Sequence, residues 1–159
     1  MGKYSEQELL EHAKENTRWL REVLRDDVKI GFENNNYYPT PAYDIVSDGV
    51  FITKLINQTN LYLLLDIAHA MVTAHNKNTT YQDYIASLPL ENLIQLHICQ
   101  PLLPDEETAQ DVHNEPNAEM LEEVIRLSVE YQQIKYLTIE FYKDKKALIR
   151  SIRNLKNRL

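Results

Sequence analysis

Apolar residues change their spacing from one segment of the chain to the next. In the first segment Leu9, Ala13, Leu20 and Leu24 recur at helical intervals, and Ser5 with Glu8 three residues on makes a capping box. Residues 28–34 (VKIGFEN) then read as a strand, and a loop holding Pro39 and Pro41 leads to a helix over 44–58. Residues 61–66 (LYLLLD) are almost continuously apolar, as in a strand buried on both faces. A short helix over 81–88, a strand over 93–98 (LIQLHI) and a polar loop over 101–116 follow. The chain ends with a helix over 117–132, a strand over 136–141 (YLTIEF) and a helix over 143–159 that buries Leu148, Ile149, Ile152 and Leu155.

This order is one helix and then four strand-plus-helix units, which implies a parallel sheet with helices outside it. Both an open doubly wound sheet and a (β/α) barrel fit. The polar positions favour the barrel. Glu33, Asp66, His97 and Glu140 each sit near the C-terminal end of a strand, where a (β/α) barrel assembles its active site. Residues two apart on a strand share a face, so Gly31, Leu64, Gln95 and Thr138 are expected to point into the barrel beneath those four.

Each residue alone has a plainer explanation. Asp66 suits the cap of a following helix, and a strand histidine is often a hydrogen-bonded core residue. Glu140, between Ile139 and Phe141, is harder to explain that way, because ionised carboxylates are rarely buried unpaired. The joint pattern on all four strands carries the reading.

Two short motifs extend the set. His69 follows Asp66 where the chain begins to turn, and extended backbone at Asp111-Val112-His113 points both polar side chains one way. In isolation Asp111 and His113 also fit a simple loop hydrogen bond. Four carboxylates and three histidines exceed the four ligands of one tetrahedral zinc. They suit two or three ions bridged by carboxylates, and imidazole with carboxylate fits iron, manganese or zinc. Near pH 7 the histidines are expected neutral and the aspartates ionised, with crowding raising at least one carboxyl pKa. His12 is expected to be solvated on the first helix and His75 to lie in a loop, as an outer contact of the site. Cys99 reads as a small buried hydrophobe. Asn34, Asn35 and Asn36 shape a loop, with Asn34 close enough to Glu33 to touch substrate, and Tyr37 and Tyr38 line a pocket mouth.

Composition narrows the partners. A formal net charge of −7, with most Lys and Arg on the first and last helices, argues against a nucleic-acid partner. No apolar run approaches the roughly 18 residues of a membrane span, and residues 1–16 lack the apolar core of a signal peptide. A cytoplasmic protein is expected. One cysteine allows no internal disulfide.

The motifs together resemble the multinuclear non-heme iron-dependent oxidative enzymes, barrel proteins related in fold to xylose isomerase. Some of these modify cysteine in ribosomally made peptides. Glu33-Asn34 is similar to the family's strand-end Glu-Asn, and Leu64-Leu65-Asp66 with His69 resembles its Leu-Leu-Asp-x-x-Asn. Gln95-Leu96-His97-Ile98 resembles its histidine strand, and Thr138-Ile139-Glu140 its last ligand glutamate. Asp111-Val112-His113-Asn114-Glu115-Pro116 is similar to Asp-Thr-His-x-x-Pro, the most specific of the motifs. The resemblance implies a peptide substrate and two or three iron ions held by Glu33, Asp66, His97, Asp111, His113 and Glu140.

The sequence departs from that pattern at named places. His69 stands where many members have Asn, and Gln100-Pro101 where Gly-His is usual. The family's N-terminal half, with two further histidine ligands, has no counterpart before Val28. A closed eight-stranded barrel needs about 200 residues or more. Residues 1–159 are therefore expected to form a single domain, the C-terminal half of a barrel, as a fragment, a split-gene product or a half that pairs with a separate N-terminal half or with itself. An incomplete enzyme is the corresponding functional expectation. Two other readings stay open: a divalent-metal sugar isomerase or phosphodiester hydrolase of the same superfamily, and a non-catalytic half-barrel interaction module.

Overall fold

A computed structural model of the chain describes residues 4–159. Met1, Gly2 and Lys3, part of the segment read for a signal peptide, lie outside the described residues. Helix α1 spans Glu6–Val23, and its start is fixed by the capping box read from the sequence: the Ser5 side chain accepts from the Glu8 backbone, and the Glu8 carboxylate accepts from the Ser5 N–H. No helix among the described residues is long and apolar enough to cross a membrane.

Strands β1 (Gly31–Glu33), β2 (Tyr62–Asp66), β3 (Leu93–Ile98) and β6 (Tyr136–Ile139) form one sheet in that order, every pair parallel. Helices α2 (Gly49–Thr59), α3 (Ile67–Asn76), α4 (Tyr81–Ala86), α5 (Ala118–Glu130) and α6 (Lys145–Lys156) lie between or after the strands. Leu63, Leu65, Leu93, Leu96 and Ile98 project from the sheet into one core with Ile52 and Ile56 of α2, and Val124 and Leu127 of α5. Each fully buried leucine contributes roughly 1.5–3 kcal/mol, so this side of the sheet is where the fold is held. The sheet does not close: β1 and β6 are its two edges. The architecture is a partial TIM-type (β/α) barrel with four parallel strands and outer helices.

The register explains how residues at four strand ends meet. Glu33 is level with Leu64, Asp66 with His97, and His97 with Thr138. Asp66 and His97 thus lie two residues above Glu33, and Glu140 lies two above them. All the offsets are even, so the four side chains share a face. The steady rise is the strand stagger that accompanies barrel tilt.

Several elements differ from the expectations. The segment after Asp66, read as a turn and loop, is helix α3, which begins immediately because the Asp66 carboxylate accepts from the His69 N–H and caps it. The polar loop over 101–116 contains an antiparallel hairpin, β4 (Gln100–Leu102) with β5 (Gln110–Asn114). Helix α2 starts later than expected, at the point where the Asp48 carboxylate accepts from the Val50 and Phe51 N–H groups. Strand β1 is shorter than residues 28–34, although Tyr62 N–H to Ile30 O and Asn34 N–H to Leu64 O carry its pairing beyond both ends.

Candidate metal centre

Ligand atoms of Glu33, Asp66, His97 and Glu140 lie within 4.8 Å of one another at the C-terminal rim of the sheet. His97 Nδ1 is 2.8 Å from Glu140 Oε1 and 3.3 Å from Glu33 Oε1, but no hydrogen bond is made at this buried nitrogen. Asp66 is fully buried. Its Oδ1 caps α3, and its Oδ2 has no hydrogen-bond partner. A buried carboxylate oxygen without a partner is costly unless a cation is to meet it.

The hairpin delivers a second group, Cys99, Asp111 and His113, again within 4.8 Å. His113 has φ 48, in the left-handed region, so β5 is not regular extended backbone there. Its Nε2 nonetheless lies 3.4 Å from Asp111 Oδ2 and 3.2 Å from Glu140 Oε2. Glu140 therefore faces both groups, one oxygen to each histidine. His69 joins them from the first turn of α3, with Nε2 3.4 Å from Asp111 Oδ2 and 4.0 Å from Asp66 Oδ2. Its other nitrogen, Nδ1, donates to the Asn34 carbonyl at 2.9 Å. That bond fixes the tautomer and leaves Nε2 turned toward the carboxylates. All seven residues singled out from the sequence, Glu33, Asp66, His69, His97, Asp111, His113 and Glu140, are thus brought to one rim.

The charges differ from the sequence expectation. Burial opposes a charge on His69, but Asp111, Asp66, the Asn34 carbonyl and Glu33 together outweigh it and raise its pKa to about 9. His69 is thus protonated at pH 7 in the metal-free protein, where a neutral ring was expected. His97 is raised for the same reason, burial being outweighed by Glu33 and Glu140. The imidazole of His97 in turn lowers Glu33. For Asp111, burial is outweighed by His69, Cys99 and His113, leaving its pKa at about 2. Asp66 is raised to about 6, chiefly by burial, with repulsion from Glu140 and Glu33 a lesser cause.

Other residues take places the sequence did not indicate. His75 is a helical residue of α3 whose Nε2 meets the Glu107 carbonyl at 3.0 Å, fixing the hairpin loop rather than the site. Cys99 is buried as expected, but its thiol donates to Asp111 Oδ1 at 3.2 Å. Burial and that carboxylate push the thiol well above its ordinary pKa. Tyr37 is tied to α3 through its backbone, with N–H to Thr73 Oγ1 and its carbonyl to Asn76. His12 is exposed against Tyr4. A groove of about 1090 Å³ lined by Ile85, Leu88, Arg126 and Tyr131 lies on the helical side and contains none of the seven residues.

Asn34 is the largest departure. It is fully buried, and its amide bonds both backbone groups of Asp66: Oδ1 accepts from Asp66 N–H at 2.8 Å and Nδ2 donates to Asp66 O at 3.1 Å. It continues the β1–β2 ladder with a side chain, and its carbonyl orients His69. Asn34→Ala leaves two buried backbone groups unpaired. We expect a loss of about 2–4 kcal/mol, read as a lower midpoint in urea denaturation at unchanged slope.

A UPF0276 protein of Caulobacter vibrioides is 31% identical over 84 residues, which cover 53% of this chain and 30% of that protein. A UPF0276 protein of Paraburkholderia phytofirmans is 28% identical over 89 residues, 56% of this chain and 28% of that protein. One of Shewanella sediminis is 23% identical over 107 residues, 67% of this chain and 37% of that protein. The matched stretches thus span well under half the length of these relatives. The profile of the RiPP precursor modification enzymes MbnB/TglH/ChrH, proteins that act on ribosomally made peptide precursors, matches residues 4–154, and the chain belongs to that family.

Proposed function

We propose that this chain supplies the metal-holding rim of an enzyme that modifies a ribosomally made peptide, with iron as the metal and a cysteine as the residue changed. The observation that carries the reading is the pair of buried, unpartnered ligand atoms, Asp66 Oδ2 and His97 Nδ1, in a cluster of carboxylates and imidazoles. Nitrogen and oxygen donors without a required thiolate suit iron, manganese or zinc. Glu33, Asp66, His97 and Glu140 would hold one ion, and Asp111, His113 and His69 a second, with Glu140 between them. Bound there, iron would supply redox chemistry toward dioxygen and a place for a substrate thiolate. The chain's own part is to orient the ligands through Asn34, to keep Asp66 away from water, and to hold a proton on His69 until a metal replaces it.

That proton makes a testable pH dependence. The pKa of His69 is raised from 6.5 to about 9 on folding, so its stabilising contribution is full below pH 6.5 and is lost as pH rises through about 9. For Asp66, raised from 3.8 to about 6, the loss occurs earlier, between those values. Metal-free protein should therefore lose up to about 3 kcal/mol between pH 6.5 and 9. Added metal must displace the same proton, so the stabilisation it confers should grow across that window. Thermal melts at pH 6.5 and 9, with chelator and with metal, give both slopes.

The function itself is tested by elemental analysis of the purified protein, followed by dioxygen consumption with a cysteine-containing peptide. The expected result is iron at one or more ions per chain. Metal without dioxygen use would favour an isomerase or hydrolase, and folded protein that takes up no metal would favour an interaction module.

A further inference from the structure

Two half-buried histidines of the rim, His69 and His97, are oriented differently. His69 has one nitrogen tied to a backbone carbonyl, which can only accept, so that nitrogen carries the proton. His97 points Nδ1 at Glu33 and Glu140, and its Nε2 lies 2.9 Å from the Gln95 amide nitrogen, which donates to it. Gln95 precedes His97 by two residues on β3 and shares its face. The same nitrogen donates to Thr138 Oγ1 at 3.1 Å, and Thr138 is the residue level with His97 on β6.

For Nδ1 to offer a lone pair to a cation, the proton of a neutral His97 must sit on Nε2, and Nε2 then needs an acceptor. Gln95 has one in its amide oxygen, and the nitrogen and oxygen exchange places by rotation about a single bond. The nitrogen faces His97 Nε2 when the proton is on Nδ1, and the oxygen faces it when the proton is on Nε2. Thr138 suits both settings, because a hydroxyl accepts from the amide nitrogen or donates to the amide oxygen.

We infer that Gln95 is a positioning residue: when a cation takes Nδ1, the amide turns so that its oxygen accepts from His97 Nε2 and keeps Nδ1 unprotonated, with Thr138 bonding the amide in either setting. The inference rests on the metal-binding reading of the rim and adds a residue that sets which nitrogen of His97 the rim presents. A backbone carbonyl performs this for His69, and a rotatable amide performs it for His97. Outer partners of metal-bound histidines are commonly worth 10–100-fold in affinity.

Zinc is the probe, because it is diamagnetic and takes the same donors. Competition with a chromophoric chelator measures affinity, and long-range ¹H–¹⁵N correlation of histidine-labelled protein reads the tautomer. Zinc-loaded parent should show His97 with its proton on Nε2. Gln95→Leu, which keeps the size and removes the acceptor, should bind zinc about 10–100-fold more weakly. Gln95→Glu, which can only accept when ionised, should keep the Nε2–H tautomer and restore affinity. Parental zinc affinity in Gln95→Leu, or a zinc-loaded His97 with its proton on Nδ1, overturns the inference while leaving metal binding intact. A parent protein that takes up no zinc, manganese or iron overturns the metal reading, and this inference with it.

Discussion

Glu140→Gln should lower metal affinity by roughly 100-fold or more while leaving the fold in place. Glu140 is the side chain that faces both halves of the rim, with Oε1 2.8 Å from His97 Nδ1 and Oε2 3.2 Å from His113 Nε2. It also stands at the top of the stagger that aligns the four strand ends, and its N–H is fixed by the Ile98 carbonyl at 2.9 Å. Substitution by glutamine preserves shape and that backbone bond but removes the charge and makes one end of the side chain a donor. A ligand loss here exceeds the 10–100-fold typical of outer partners, because two imidazoles lose their shared carboxylate. Metal titration of the variant against the parent is the measurement, with circular dichroism to confirm the fold. Equal affinities would remove Glu140 from the ligand set.

The strand ends were legible in the sequence because a period of two is hard to disguise when one face is polar. Residues 93–98 form the expected strand β3, and Leu63 and Leu65 are buried as the apolar run implies. Helix α3 was not legible. Asp66 ends β2 and caps α3 at once, so no loop or turn residue separates the two elements, and the apolar run LYLLLDIAHA hides the boundary. The hairpin was obscured by Pro101, Pro104 and the acidic tip at 105–107, which weaken any strand signal. Cys99 offers a different lesson. Alternation from Gln95 through His97 places residue 99 on the same face, so continuing the period one step past the strand finds its approach to Asp111. The role of Asn34 depends on contact with Asp66, 32 residues away, which no local pattern encodes.

A polypeptide of these 159 residues should not behave as a compact monomer at micromolar concentration. Strands β1 and β6 are each paired on one side only, so both edges of the sheet present unpaired backbone groups. The helices cover one face. On the other, Tyr62 and Tyr136 are 37% and 52% exposed and Gly31 is also open, beneath the rim of candidate ligands. The edge strands are short, three and four residues, which limits indiscriminate pairing, and few charges point from them to repel a neighbour. Two half-barrels face to face would pair the edges and cover the tyrosines, and an N-terminal half supplied separately would do the same. A closed assembly would bury the partly polar lining of Gln95 and Thr138, whose groups already bond to one another and to His97. Sedimentation velocity across about 1–100 μM is the measurement. The expected result is a species that grows with concentration, and an edge substitution such as Tyr136→Lys on the open face of β6 should shift it toward monomer. A compact monomer at every concentration would show that the chain satisfies its own sheet edges, and the half-barrel assembly would then be wrong.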